Sequence, residues 1–115
     1  MTTAQGSTAD TVTWGYDLAE ISNIPGHEAG VQIIERPPGG SANPHYHPEG
    51  HEWVYCASGS MMLTIGDAPA RELKAGDVAY LAANVVHFGR NVSDGPVKLV
   101  LFRVKPVGQE MMVRV

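Results

Sequence analysis

Residues 39–59 read GGSANPHYHPEGHEWVYCASG, and three of the chain's five histidines, His45, His47 and His51, fall inside this stretch. Side chains on a strand alternate between two faces, so His45 and His47, at i and i+2, point to the same side. Imidazole is a borderline ligand that zinc, copper, nickel, iron and manganese all accept. The turn Pro48–His51 would return the chain, and Glu52 could bring a carboxylate back to that face. A further imidazole, His87, waits downstream in NVVHFGRN.

Outward from this segment the chain reads as strand and turn. Apolar runs separated by Gly, Pro, Asn or Asp recur about every 8 to 12 residues, the spacing of sandwiches and barrels. Strands are expected at 11–16, 29–36, 52–57, 61–66, 70–73, 77–82, 86–91, 97–105 and 110–115, with PPGG, SG, GDAP, AGD and SDGP turning most of them. VKLVLFRV, residues 97–104, is apolar at almost every position, which predicts a strand covered on both faces or a subunit contact. Only residues 17–24, DLAEISNI, could form a helical turn.

The chain has 115 residues, 43% of them hydrophobic and 17% charged, enough apolar content for one self-sufficient core. Residues 1 to about 10, MTTAQGSTAD, lack periodicity and read as a loose arm ahead of one domain over 11–115. The net charge is -4 with scattered basic residues, so no phosphate-binding stripe exists and nucleic acid is not an expected partner. No window approaches the length of a membrane span, no export signal is visible, and the only cysteine, Cys56, sits in an apolar run; a cytoplasmic setting is expected.

Gly39, His45, His47, Glu52 and Gly59 fit the pattern G-x5-H-x-H-x4-E-x6-G, and Gly76, His87 and Asn91 fit G-x5-P-x-G-x2-H-x3-N, with Ala82 and Asn84 replacing its Pro and second Gly. By these two motifs the chain, over roughly residues 30–105, resembles a small single-domain cupin. The resemblance implies an all-β double-stranded β-helix, or jelly-roll barrel, with one divalent transition metal near its middle. It also implies His45, His47, Glu52 and His87 as ligands. Some cupins it resembles use a H-x-H-x3-H-E arrangement, which would make His51 the ligand in place of Glu52. Gly59 sets the returning strand's register in favour of Glu52, and adjacent strand residues face opposite ways, so one of the pair faces inward and the other lies near the rim. Asn tolerates the left-handed conformation that the replaced Gly at 84 requires.

Three imidazoles and a carboxylate leave one or two positions open on an octahedral metal. With iron or manganese, the expected ions, or with nickel or copper, a small enol, diketone or phenolic substrate could chelate and react with O2, giving a dioxygenase that cleaves a C–C bond. Held redox-inert, as with zinc, the site would serve an isomerase, lyase or cyclase, with Glu52 free to act as the catalytic base if it is not a ligand. A binding protein without catalysis is the remaining alternative. Trp53, Tyr55, Met62 and Phe102 are the candidate pocket residues. Arg36 and Arg103 could reach a carboxylate from the barrel interior, but as single charges on strands they read as solvent-facing. Asn91 reads as a backbone or histidine support. The resemblance further implies a homodimer in which residues 97–104 and the closing EMMVRV meet the partner.

Overall fold

A computed structural model describes residues 10–115. Eleven strands are present: β1 (Thr11–Trp14), β2 (Ala19–Glu20), β3 (His27–Arg36), β4 (His45–Tyr46), β5 (His51–Ser58), β6 (Ser60–Ile65), β7 (Arg71–Lys74), β8 (Val78–Leu81), β9 (His87–Arg90), β10 (Val97–Pro106) and β11 (Val113–Arg114). One antiparallel sheet runs β1-β3-β10-β5-β8, with β2 also on β3; the other runs β11-β4-β9-β6-β7. The two sheets close as a jelly-roll barrel, the double-stranded β-helix expected.

Period-two alternation builds the barrel. In β5, Glu52, Val54 and Cys56 are buried while Trp53 and Tyr55 face out; in β10, Val97, Leu99, Leu101, Arg103 and Lys105 are buried and Lys98 and Phe102 are exposed. Both strands therefore send one file of side chains to a core that holds Ile34, Val54, Leu63, Leu81, Leu99 and Leu101. Each such aliphatic side chain contributes roughly 1.5–3 kcal/mol by burial. The core ends where the inward file turns polar, at Glu52 on β5 and at Arg103 on β10, and these two residues are register partners.

Several expectations need correction. Residues 17–24 form no helix: the short strand β2 lies there, tied to β3 through Ala19 and Glu20. The segment 97–104 is not covered on both faces. It is the inner strand β10, flanked by β3 and β5, and only its inward half is covered. Residues 1–9 of the expected arm lie outside the described residues. Asp10 is docked, its carboxylate gripping Arg36 at 2.7 Å on Nε and 2.9 Å on Nη2. No helix of the described residues is long and apolar enough to cross a membrane.

Two turns justify the motif residues. Asn84 adopts φ 68, the left-handed conformation expected of it, and its amide side chain brackets Glu49 by accepting from the backbone N–H and donating to the carboxylate. Gly59, between β5 and β6, has φ 79, and a Cβ there would lie 2.5 Å from the Pro96 carbonyl oxygen. Gly59→Ala therefore meets both backbone strain and a clash with main chain that cannot move aside. The expected cost is about 3 kcal/mol, read as a lower urea midpoint at unchanged slope. An unchanged midpoint would mean that the turn relaxes freely.

Candidate metal centre

His45 sits on β4 and His87 opens β9, and the two are register partners across the ladder. His47 follows β4 on the same face. The three rings pack with centroids 4.4 Å (His45–His87), 5.0 Å (His45–His47) and 5.0 Å (His47–His87) apart. All three side chains are buried, and each offers a ring nitrogen within 4.8 Å of the others'.

The protonation pattern follows from their partners. Nδ1 of His45 lies 2.6 Å from the Asn43 carbonyl, that of His47 2.8 Å from the Met111 carbonyl, and that of His87 3.3 Å from the Val85 carbonyl. A carbonyl can only accept, so each Nδ1 carries a hydrogen and Nε2 is the nitrogen each ring offers to a ligand. All three Nε2 atoms are buried, and those of His45 and His87 have no hydrogen-bond partner. Orphaned buried nitrogens are costly unless something satisfies them.

Glu52 adjoins the cluster at His47. Buried on the inward file of β5, it places Oε1 2.7 Å from Nε2 of His47. A carboxylate oxygen beside an imidazole lone pair needs positive charge between them, either a proton or a metal ion. The donor set of three neutral imidazoles and one carboxylate thus fits a divalent transition metal.

Burial pushes the His87 imidazole down to about 4, helped by His45 beside it, and burial likewise lowers His45. For Glu52 burial acts upward, yet the His47 contact and the electrostatic influence of His47, His87 and Arg103 outweigh it and hold the carboxyl low. At neutral pH these groups already stand in the states that a metal requires. The same shifts predict acid sensitivity of the metal-free protein. Below about pH 6.5 the unfolded chain takes up a proton that folded His87 refuses until about 4, so stability falls as pH drops through that window. The expected loss from His87 alone is about 2 kcal/mol between pH 7 and 5, and His45 adds in the same direction. Urea unfolding at the two pH values measures it, and equal midpoints would refute it.

Beside the cluster lies a small cavity of about 20 Å³, room for roughly one water. His45, Glu52 and His87 line one part of it, Val54, Leu63 and Leu101 its apolar wall, and Arg36 another part. The remaining sequence expectations sort by strand parity. His51 faces the other side of β5 from Glu52 and pairs with Tyr80 at 2.5 Å, so it does not join the histidines. Trp53, Tyr55 and Phe102 are exposed on the outer face of the sheet and are not among the residues lining this cavity; Met62 also faces away, and its neighbour Met61 lines the cavity instead. Since Glu52 points in, every odd-numbered β5 neighbour must point out. Arg36 and Arg103 are not solvent-facing: both are buried, at 2% and 0% exposure, in the inward files of Ile34 and Leu101. That parity was the signal that could have found them. Asn91 forms no hydrogen bond with His87; its side chain donates to the Arg36 and Gly95 carbonyls and accepts from Ser93, pinning the turn after β9.

A sequence model of the cupin domain family matches residues 32–103, more than half of the chain. Oxalate decarboxylase OxdC of Bacillus subtilis is 36% identical over 68 residues, covering 56% of this chain and 18% of that protein. Germin-like protein subfamily 2 member 1 of Arabidopsis thaliana is 33% identical over 89 residues, covering 71% of this chain and 41% of its own. The chain therefore spans less than half the length of these curated relatives. Among solved structures, an oxalate oxidase superposes with TM-score 0.69 at 20% identity, covering 93% of this chain and 55% of that one. A conserved Klebsiella pneumoniae protein with a double-stranded β-helix domain gives 0.67 at 24% identity, covering 85% and 80%. At these identities the solved structures speak for the fold alone.

Proposed function

Because this chain belongs to the cupin domain family, we propose that it is a metal-dependent enzyme, in the first instance a dioxygenase that cleaves a C–C bond of a small chelating enol, diketone or phenolic substrate. The observation that carries this reading is the convergence of three buried imidazoles, with the buried Glu52 carboxylate 2.7 Å from Nε2 of His47. His45, His47, His87 and Glu52 would hold the metal, with iron or manganese the ions whose redox chemistry suits O2. Bound there, such an ion would supply a centre at which a bidentate oxygen donor and O2 can meet. The protein's own residues then exclude bulk water, keep Nδ1 of each histidine protonated, and hold Glu52 ionised. The small cavity favours a compact substrate.

A relative named for oxalate decarboxylation supports a second member of the same class, a small carboxylate chelate. The test is metal analysis of protein purified without added metal, followed by oxygen-uptake assays with acetylacetone, catechol and oxalate. Near-stoichiometric iron or manganese with oxygen consumed and a cleaved product supports the proposal. Stoichiometric zinc without uptake would move the reading to lyase or isomerase chemistry, and binding without turnover to a non-catalytic role.

We also propose a homodimer, through a face different from the terminal strands. Trp14, Ile33, Val100, Tyr55 and Val78 form one row across five strands, and Val31, Phe102, Trp53 and Tyr80 form a second beside it, all on the outer side of one sheet. Tyr55, Tyr80, Trp53 and Phe102 are 44%, 46%, 38% and 40% exposed. Taking about 150–250 Å² per aromatic side chain, the two rows present on the order of 500 Å² of contiguous apolar surface. A patch of that size marks an interaction site and would be the greater part of the ~800 Å² that each partner of a stable pair contributes.

A further inference from the structure

His47 differs from the other two histidines in how it is held. Asn43 and Val85, whose carbonyls accept from His45 and His87, each lie two residues upstream in the same strand region. The acceptor for His47 is the Met111 carbonyl, 64 residues away in the C-terminal segment. That carbonyl has a second donor: Arg103 contacts it through Nη2 and reaches the Met111 sulfur through Nη1. Arg103 is fully buried, stacks its guanidinium 5.9 Å from the Tyr16 ring centre, and is the register partner of Glu52. The backbone also ties the segment to β4. Two residues of β11 pair with β4, and the Val115 N–H reaches the Pro44 carbonyl. A two-residue strand at the end of a sheet is marginal by itself.

We propose that Arg103 and the C-terminal segment 110–115 act together as a positioning device for the site: Arg103 clamps Met111, and the Met111 carbonyl fixes the tautomer and ring orientation of His47. The inference rests on the metal reading above for its consequence, but not for its geometry. A carbonyl has two lone pairs, so Arg103 and His47 do not compete for it. Without the clamp, His47 would be free to carry its hydrogen on Nε2, where it cannot bind a cation, while His45 and His87 keep their local acceptors. Residues that orient a metal-binding imidazole in this way typically change metal affinity 10–100-fold when removed.

The experiment compares the full chain with Arg103→Met, Arg103→Lys and a chain ending at Gln109, each checked for folding by circular dichroism. Long-range 1H–15N NMR of the metal-free proteins reads the tautomer of each histidine, and calorimetry with Mn(II) and Zn(II) reads affinity. Wild type should show His47 protonated at Nδ1. Arg103→Met and the shortened chain should show His47 alone shifted toward the Nε2–H form, with metal binding weakened 10–100-fold, and Arg103→Lys should restore part of both. Should His47 keep its tautomer and affinity stay within twofold, or should all three histidines change together, the proposal is overturned. If Arg103→Met does not fold, the other two variants carry the same readouts. If wild type binds neither ion, the metal reading fails, and the tautomers still decide whether the clamp exists.

Discussion

A His87→Ala variant is expected to lose its metal and remain folded. His87 is one of three convergent imidazoles, and no other histidine can replace it: His51 is on the opposite face of β5 and His27 lies at the start of β3. With one of four donors gone, affinity should fall by well over 100-fold, beyond the 10–100-fold typical of losing an outer partner. Stability of the metal-free protein should move little. Truncation removes packing, but it also removes an imidazole whose Nε2 is buried without a partner and whose burial holds it neutral down to about pH 4. The acid sensitivity between pH 7 and 5 should therefore shrink in the variant as its metal is lost. Elemental analysis and urea unfolding at both pH values check the two halves together. Full metal occupancy in His87→Ala would remove the site, whereas an unfolded variant would show that the histidine cluster is part of the core. His47→Ala should behave alike in metal content.

The barrel and the three histidines were legible because both rest on local spacing. His45 and His47 at i and i+2 share a face in any strand, and Gly59 and Asn84 occupy left-handed positions that few other residues tolerate. His51 and Glu52 could not be separated by pattern alone, since the motif allows either spacing, and the strand's inward file decides it in favour of Glu52. Pocket residues failed for the same reason: once Glu52 points in, Trp53 and Tyr55 cannot. The burial of Arg36 and Arg103 contradicts the usual behaviour of charged strand residues, and their partners, Asp10 and the Gly89 carbonyl for Arg36, Met111 and the Tyr16 ring for Arg103, make it tolerable. The Met111 carbonyl had no sequence signal at all, because a backbone acceptor is available from any residue.

Phe102→Glu is expected to turn a dimer into a monomer. Phe102 lies between Val31 and Trp53 in the second row, with its ring 5.8 Å from that of Trp53, near the middle of the apolar face. In a two-fold contact the same substitution enters twice, so two carboxylates would have to be desolvated in one interface. If each central position contributes about 2 kcal/mol, the dissociation constant rises by roughly a thousandfold, enough to abolish a micromolar dimer. The monomer fold should tolerate the change, because Phe102 is 40% exposed and a glutamate can reach water from the outer face. Val92→Glu is the matched control: it is 63% exposed on the turn after β9, outside both rows, and should leave the assembly intact. Light scattering across a dilution series separates the cases. A wild type that is monomeric at tens of micromolar would show that two copies do not cover this face. Equal dissociation by both variants would show that added charge, and not the aromatic row, governs association. Loss confined to Phe102→Glu assigns the outward half of β10 to the interface, while its inward half, one residue either side at Leu101 and Arg103, serves the core and the site.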